Sequence, residues 1–396
     1  MVERTARCYF ALSGLYALAT SFIGATYVIF LLSHGLTIFE AQVVNAFFYV
    51  TLTLFEIPTG VVADVFGRKL SFVGSCFVHS FSMFLYFRAT SFTGFVVAEI
   101  VGAIGITLMS GAFQAWMVDQ IKYHGHVGGM GRVFAREQQI SKSIMMVGAL
   151  AGGFLGSLDL ALPWLVSSII LGIVGVLALL WMKEDYFVRE SSSPREHLRL
   201  ICSTSSGAFS FFKKNAVVRF VFGIGASQVF AFQAPNMQWQ PLFEKAFSGT
   251  IGLGFLRSLM TLAIIAGALV AIPFLARVGG DKRAIVLSQV GAGVGIILTV
   301  LWNNLAWMIV IFLVHEVFRG INDPLKSAYL NQHIPSRERA TILSMNSIAH
   351  HIGGALGLLV GGFIAWKVSF AAAWVFSGSA LVLGTLVLSR RTGNQT

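Results

Sequence analysis

Long apolar stretches recur along the whole chain, and they decide what kind of protein it can form. The 396-residue sequence contains twelve runs that are each about long enough to cross a lipid bilayer as a helix. Their predicted bounds are 9–32, 41–62, 70–88, 92–118, 142–162, 164–182, 217–238, 251–276, 284–302, 306–330, 341–365 and 370–389. Hydrophobic residues make up 56% of the chain and charged residues only 11%, too few to cover a fold in water. The sequence therefore predicts an all-α integral membrane protein.

Basic residues fall mainly on one side of the predicted membrane. With the N-terminus inside, most of the 28 lysines and arginines lie in the inner connections. Because inner loops of membrane proteins are enriched in these residues, both termini are predicted to be cytoplasmic. The formal charge of +11 then reflects topology and does not indicate binding to nucleic acid.

Two pairs of segments show that the halves of the chain repeat. "GALAGGFL" at 148–155 matches "GLLVGGFI" at 357–364, and "ADVFGRKLS" at 63–71 matches "ARVGGDKRA" at 276–284. A parallel repeat of membrane helices is typical of one class of transporters. We predict two pseudo-symmetric six-helix bundles, 1–182 and 217–396. A cytoplasmic linker, 183–216, would join them through an amphipathic helix on the membrane surface, with a disordered loop as the alternative.

The run "GVVADVFGRK" carries a family resemblance that extends over most of the chain. Gly60, Asp64, Gly67, Arg68 and Lys69 fit the pattern G-x-x-x-D-x-x-G-R-[RK]. This pattern, with twelve spans and a six-plus-six repeat, resembles the major facilitator superfamily and its bacterial drug–proton antiporter-like members. The resemblance implies the major facilitator fold in a bacterial inner or plasma membrane.

The same run has a predicted gating role. Gly60 would permit close approach of another helix, and Gly67 would permit a tight turn. By resemblance, Asp64 would face the start of the eleventh helix near 336–341, and Arg68 would reach Asp119. Such contacts would close an inner gate, whereas the alternative is a solvated turn.

Charged residues inside the spans are candidates for proton coupling, because a charge in a bilayer is costly. The tenth span holds three of them at helical spacing, and we expect Glu316 or Asp323 to titrate while Arg319 sets the pKa. A structural ion-pair cluster is the alternative. Glu99, a lone acid in the fourth span, and Glu56, beside Pro58, are further candidates. The alternative for Glu99 is an acid hydrated from the outer end of the helix. The alternative for Glu56 is an acid with a role in packing only.

Uncharged polar residues on spans that line the cavity, by resemblance, are candidates for substrate binding. They are Tyr16, Thr20, Tyr27, Gln228, Gln233, Asn236, Asn346 and His350. His350 and its neighbour His351 could instead be packing residues.

Nothing in the sequence predicts an enzyme, a metal site or a cofactor, since it contains no nucleotide-binding loop, metal-ligand cluster or nucleophile elbow. We expect a monomeric secondary active transporter that works by alternating access and exports small amphipathic compounds or drugs in exchange for protons. Its partners would be lipid, the substrate and protons, without nucleic acid. The alternatives are an importer or facilitator of a nutrient or metabolite, and a non-transporting receptor on the same scaffold.

Overall fold

The described part of the chain is helical throughout. The computed structural model describes residues 2–125, 130–187, 212, 215–244, 246–247, 249–334 and 339–391, without the side chains of 339–341 and 391. No strand occurs in these ranges. Most of the predicted linker, including its amphipathic helix from Ser193, lies outside them.

Fourteen α-helices are numbered here in chain order across the described residues. They are α1 Val2–Ser21, α2 Tyr27–Ser33, α3 Ile38–Phe66, α4 Arg68–Arg88, α5 Phe92–Met109, α6 Ala112–Tyr123, α7 Met130–Leu158, α8 Leu162–Trp181, α9 Ala216–Glu244, α10 Thr250–Val278, α11 Asp281–Leu301, α12 Leu305–His333, α13 Arg339–Lys367 and α14 Phe370–Arg391. A short 3₁₀ turn, Phe22–Ala25, joins α1 to α2. Twelve helical segments of the described chain are long and apolar enough to cross a membrane, which confirms the predicted number of spans.

Two predicted spans differ from the structure in ways that matter for the site. The fifth span was predicted to begin at 142, but α7 begins at Met130, so a polar stretch belongs to the helix. The fourth span was predicted as one helix, but it breaks into α5 and α6 at Ser110–Gly111. Gly111 has φ +75°, a left-handed conformation that glycine adopts at little cost.

The internal repeat is visible in the helix bounds. Helix α4 runs from Arg68 to Arg88 and α11 from Asp281 to Leu301, a shift of 213 residues at both ends. A glycine with positive φ precedes each of them, Gly67 at +97° and Gly280 at +151°. The sharp turns therefore recur where the sequence motif recurs.

The chain divides into two compact units. The first contains Met1–Gly35, Val50–Leu200 and Phe247–Ser258, and the second contains Leu36–Tyr49, Ile201–Ala246 and Leu259–Thr396. The first part of α3 thus belongs to the second unit, and the first part of α10 to the first unit. The bundle boundaries at 182 and 217 stay a prediction.

Each unit has its own apolar core. In the first unit Tyr9, Phe72, Phe113, Trp116 and Val174, from four helices, are buried together. In the second unit a similar cluster forms around α9, with Val218, Phe220, Ile224, Ile285 and Ile321. These cores fix the helices from which the polar cavities below are built.

Candidate functional site

A polar cavity of about 330 Å³ lies within the second unit. Helix α9 supplies one wall, because its residues recur at spacings of three and four and so share a face. Helix α12 supplies the opposing charged residues. The lining residues are Tyr49, Gln228, Val229, Phe232, Gln233, Asn236, Arg319, Asp323, Lys326, Ser327 and His350. Six predicted site residues meet here: Gln228, Gln233, Asn236, His350, Arg319 and Asp323.

The charged residues of this cavity belong to two separate hydrogen-bonded groups, one around Lys326 and one around Arg319. Lys326 Nζ donates to Gln228 Oε1 at 2.5 Å and lies 3.8 Å from Asp323 Oδ1. Gln228 Nε2 also donates to Asp323 Oδ1 at 3.3 Å. Arg319 donates to Asn236 Oδ1 at 3.1 Å, with its guanidinium 5.0 Å from the ring centre of Phe232. Both cations are therefore held against polar or aromatic groups of the cavity wall.

Glu316 lies behind the cavity wall and is almost fully buried, with 1% of its side chain exposed. Its Oε2 is 3.6 Å from Arg319 Nη1 and accepts no hydrogen bond within the described chain. On its other side, His315 Nε2 lies 3.8 Å from Glu316 Oε1. His315 Nδ1 is 2.6 Å from the carbonyl of Phe312, which can only accept, so Nδ1 carries the proton.

Three residues of this site were not predicted from the sequence. His315 adjoins Glu316 in a membrane span, a signal that could have identified it. Lys326 was predicted to lie within or near the end of the tenth span without a site role, but it is 12% exposed and lines the cavity. Tyr49 accepts a hydrogen bond from Gln233 Nε2 at 2.8 Å, and no local pattern marks it. Asn346 lies one turn before His350 on α13 but does not line the cavity, and its Oδ1 is buried without a hydrogen bond from the described residues.

A second cavity, of about 450 Å³, lies within the first unit. Its lining combines aromatic rings, small polar side chains and one acid. The lining residues are Tyr9, Ser13, Tyr16, Ala17, Thr20, Phe72, Met109, Ser110, Gly111, Phe113, Gln114, Glu137, Ser141 and Met145. The break between α5 and α6 brings Ser110, Gly111 and Gln114 to it. Two predicted cavity residues, Tyr16 and Thr20, lie here.

Glu137 of α7 is the acid of this cavity. Its Oε1 accepts hydrogen bonds from Ser13 Oγ at 2.5 Å and from Ser141 Oγ at 2.8 Å. Glu137 was not predicted as a site residue, because the fifth span was predicted to begin at 142. The helical spacing of Glu137 and Ser141 would have indicated a shared face.

Tyr27 was predicted to line the cavity, but it lies outside both cavities described above. Its ring is 5.8 Å from Trp164 and 6.1 Å from Tyr86. In this aromatic cluster Tyr86 donates a hydrogen bond to Glu99. Glu99 is 7% exposed, so it is a buried, partnered acid rather than a lone or wetted one.

The contacts of the predicted gating run are visible at its C-terminal end, where α4 begins. Arg68 forms an ion pair with Asp119, and Gly67 supplies the turn before α4. Glu184 lies beyond the eighth helix and was not predicted. It accepts the backbone N–H groups of Arg68 at 2.7 Å and Lys69 at 3.3 Å.

Tyr186 supports this arrangement. Its hydroxyl donates to Glu184 Oε1 at 3.2 Å. Burial and the neighbouring Glu184 carboxylate raise the pKa of the Tyr186 hydroxyl, which keeps its proton. The start of α4 is therefore capped by a carboxylate, where the helix dipole favours negative charge.

Of the other parts of the gating prediction, the contact of Asp64 stays a prediction and the close approach at Gly60 is wrong. Asp64 is exposed, and its expected partners near 336–341 lie outside the described side chains. Gly60 was expected to permit close helix approach, but a Cβ added there would meet no atom within 4 Å. Glu56 is half-buried on α3, and its role stays a prediction.

Comparisons with known proteins agree with the fold. The model of the Major Facilitator Superfamily matches residues 9–279 and 247–395. The MFS-type transporter YxaM of Bacillus subtilis is 23% identical over 386 residues, 93% of this chain and 91% of the relative. Multidrug resistance protein 2 of the same organism is 22% identical, covering 81% of this chain and 78% of the relative.

A solved structure shows the same architecture. The nucleoside transporter NupG superposes with a TM-score of 0.80 at 14% identity, over 99% of this chain and 100% of that one. At this identity the likeness shows the fold alone. It confirms the predicted twelve-helix major facilitator fold. The chain is a multi-pass membrane protein that belongs to the major facilitator superfamily of transporters.

Proposed function

We propose that this protein is a secondary active transporter that works by alternating access and exports small amphipathic compounds in exchange for protons. The observation that carries the proposal is the buried carboxyl of Glu316. A charge at the centre of a membrane helix costs roughly 2.5–3.5 kcal/mol on insertion scales. A residue of this kind, beside a polar cavity, has a functional role by default.

The position of Arg319 links Glu316 to the cavity. Arg319 lies between the buried carboxylate, at 3.6 Å, and the cavity residues Asn236 and Phe232. When Glu316 binds a proton, its attraction for Arg319 is lost, and the positive charge of Arg319 is no longer offset. The cavity then becomes less favourable for a cationic substrate. Proton and cation therefore compete, which is the requirement of an antiporter.

The proposal of drug-like substrates is supported by a sequence relative. Multidrug resistance protein 2 is named for resistance to drugs, and it aligns with four fifths of this chain. Proton coupling, export and drug-like substrates remain proposals for this protein. So do the cytoplasmic termini, the monomeric state, the gating role of 60–69 with Asp119, and the titration of Glu56, Glu99 and Asp323.

The experiment measures flux in vesicles that contain the purified protein. A panel of cationic dyes and metabolites is tested in two modes: accumulation driven by a pH gradient, and exchange of labelled for unlabelled substrate at equal pH. We expect Glu316→Gln to abolish gradient-driven accumulation but to retain exchange, because only the first mode needs net proton movement. Glu40→Gln is the control, since Glu40 is a half-buried residue of the α3 N-terminal cap and glutamine can keep its hydrogen bonds.

Two results would contradict the proposal. Gradient-driven accumulation by Glu316→Gln at the wild-type level would remove this residue from coupling. Wild-type flux that moves no protons with any substrate would remove the antiporter itself.

An importer or facilitator of a polar metabolite is the second candidate. The second unit's cavity favours it, because three amide side chains and two cations line a space with few apolar groups. If an inward proton gradient drives accumulation of a polar metabolite in vesicles of known orientation, the protein is an importer. A receptor would bind ligand without any flux.

A further inference from the structure

The cavity of the first unit holds a carboxylate without a cationic partner. Both hydrogen bonds to Glu137 end on Oε1, from Ser13 and Ser141. Within the described chain Oε2 accepts no hydrogen bond, and no lysine, arginine or histidine forms an ion pair with this residue. Arginines on the same helix do not line the cavity: Arg132 and Arg136 are exposed, and Arg136 lies over the ring of Phe10.

An aromatic wall faces the same space. Phe72 and Phe113 are stacked with ring centres 4.0 Å apart, and Tyr9 lies 4.7 Å from Phe113. The ring of Tyr16 continues the wall 6.3 Å from Phe72. Aromatic faces attract cations, and methylated ammonium groups in particular are bound by such rings. The wall and the carboxylate therefore favour the same kind of ligand.

The size and polarity of the cavity further restrict the chemical class of the ligand. A volume of about 450 Å³ suits an organic molecule of drug size. A hard metal ion would need several carboxylate or carbonyl oxygens, and the described residues contain no cluster of three acidic, histidine or cysteine ligands. An anion would be repelled by Glu137, since no cation lines the cavity.

We infer that the first unit's cavity binds an organic ammonium ion, with Glu137 as its counter-ion and the rings of Tyr16 and Phe113 beside its apolar body. Tyr9 and Phe72 are only 1% and 0% exposed and pack against Phe113. The inference rests on the proposed transport function and names the substrate class that it would serve. Glu137 is thereby a specificity-determining residue for charge. Ser13 and Ser141 orient its carboxylate so that Oε2 is available to the ligand.

The test is equilibrium binding to the full-length protein in lipid nanodiscs, measured by titration calorimetry without any gradient. Three ligands share a naphthylmethyl body and differ in the attached group: trimethylammonium, its uncharged tert-butyl isostere, and sulfonate. We expect the wild type to prefer the ammonium compound. Glu137→Gln should weaken ammonium binding about ten- to a hundredfold, as for a lost charge-assisted contact, and change binding of the tert-butyl compound less than twofold.

Two further variants keep the result interpretable. Glu137→Asp retains the charge and should restore a preference for the ammonium compound, which a purely structural role would not predict. Asp159→Asn is the matched control, because it removes one negative charge just beyond the opposite end of α7. Asp159 accepts the N–H of Ala161 at 2.7 Å, and asparagine can keep that bond, so binding should be unchanged.

The outcomes separate this inference from the transport proposal. Equal wild-type affinity for the three ligands, or equal losses for the ammonium and tert-butyl compounds in Glu137→Gln, would overturn the inference even if vesicles show proton-coupled flux. Binding of ammonium that depends on Glu137 would support it even if the vesicles show no flux. Loss of flux for uncharged substrates in Glu137→Gln would instead assign the residue to proton coupling and overturn the assignment made here.

Discussion

Single residues outside the recognised motif complete the gating run. The motif contains Arg68 and Lys69, but their backbone N–H groups are satisfied by Glu184, more than a hundred residues later in the chain. An acid at the start of a helix both caps the free N–H groups and interacts favourably with the dipole. The sequence motif therefore describes only one side of the contact.

Removing this cap tests its contribution. Glu184→Ala should lower the free energy of unfolding by about 1 kcal/mol, because two N–H groups lose their acceptor. The measurement is equilibrium unfolding in mixed micelles with a denaturing detergent. Gln139→Ala is the control, since Gln139 is exposed in the interior of α7 and alanine is a good helix former, so this change should not lower the stability. Equal stability of the two variants would show that Glu184 does not stabilise α4.

At the scale of elements, glycines decide how closely α7 packs. A Cβ added to Gly148, Gly152 or Gly156 would overlap Ser21, Phe22 or Thr26 at the junction of α1 and α2. The neighbouring Gly153 faces α10, where an added Cβ would be 2.7 Å from the Thr250 carbonyl. Small residues at spacings of four let membrane helices approach closely. Helix α7 is thus held on two sides, with Glu137 nearer its start.

The close approach of α7 to the junction of α1 and α2 can be tested by a glycine-to-alanine substitution, which adds one methyl group. Gly152→Ala should strongly reduce the yield and thermal stability of the folded protein, because its Cβ would overlap the backbone of Phe22 and a backbone cannot move aside easily. At Gly74 on α4 an added Cβ meets no atom within 4 Å, so Gly74→Ala should be neutral or slightly stabilising. Similar melting temperatures for the two variants would contradict this account of the packing.

For the whole molecule, the repeat determines where the helices begin and end, and the charge distribution determines their proposed orientation. Helices α7 and α13 are offset by 209 residues at both ends, as the glycine motifs are. The repeat therefore sets where corresponding helices begin and end. The charge distribution sets the proposed orientation of those helices in the membrane.

Cysteine labelling in cells tests the orientation. In a chain without its three native cysteines, Thr90→Cys and Asn303→Cys should react with a membrane-impermeant thiol reagent in intact cells. Tyr123→Cys and His333→Cys should react only after permeabilisation, because they lie in the basic, inner connections. All four residues are exposed in the structure. The reverse pattern would place both termini outside.

The sequence by itself determined the twelve spans, the repeat, the family and the turn at Gly67, because lipid imposes long apolar helices and glycine permits left-handed backbone. It also identified Glu316, Arg319 and Asp323, since charges inside spans are conspicuous. Only the tertiary structure joined Tyr49 to Gln233, Glu184 to the start of α4, and Glu137 to an aromatic wall. Such contacts depend on where helices begin, break and approach one another, and the packing of distant segments decides that.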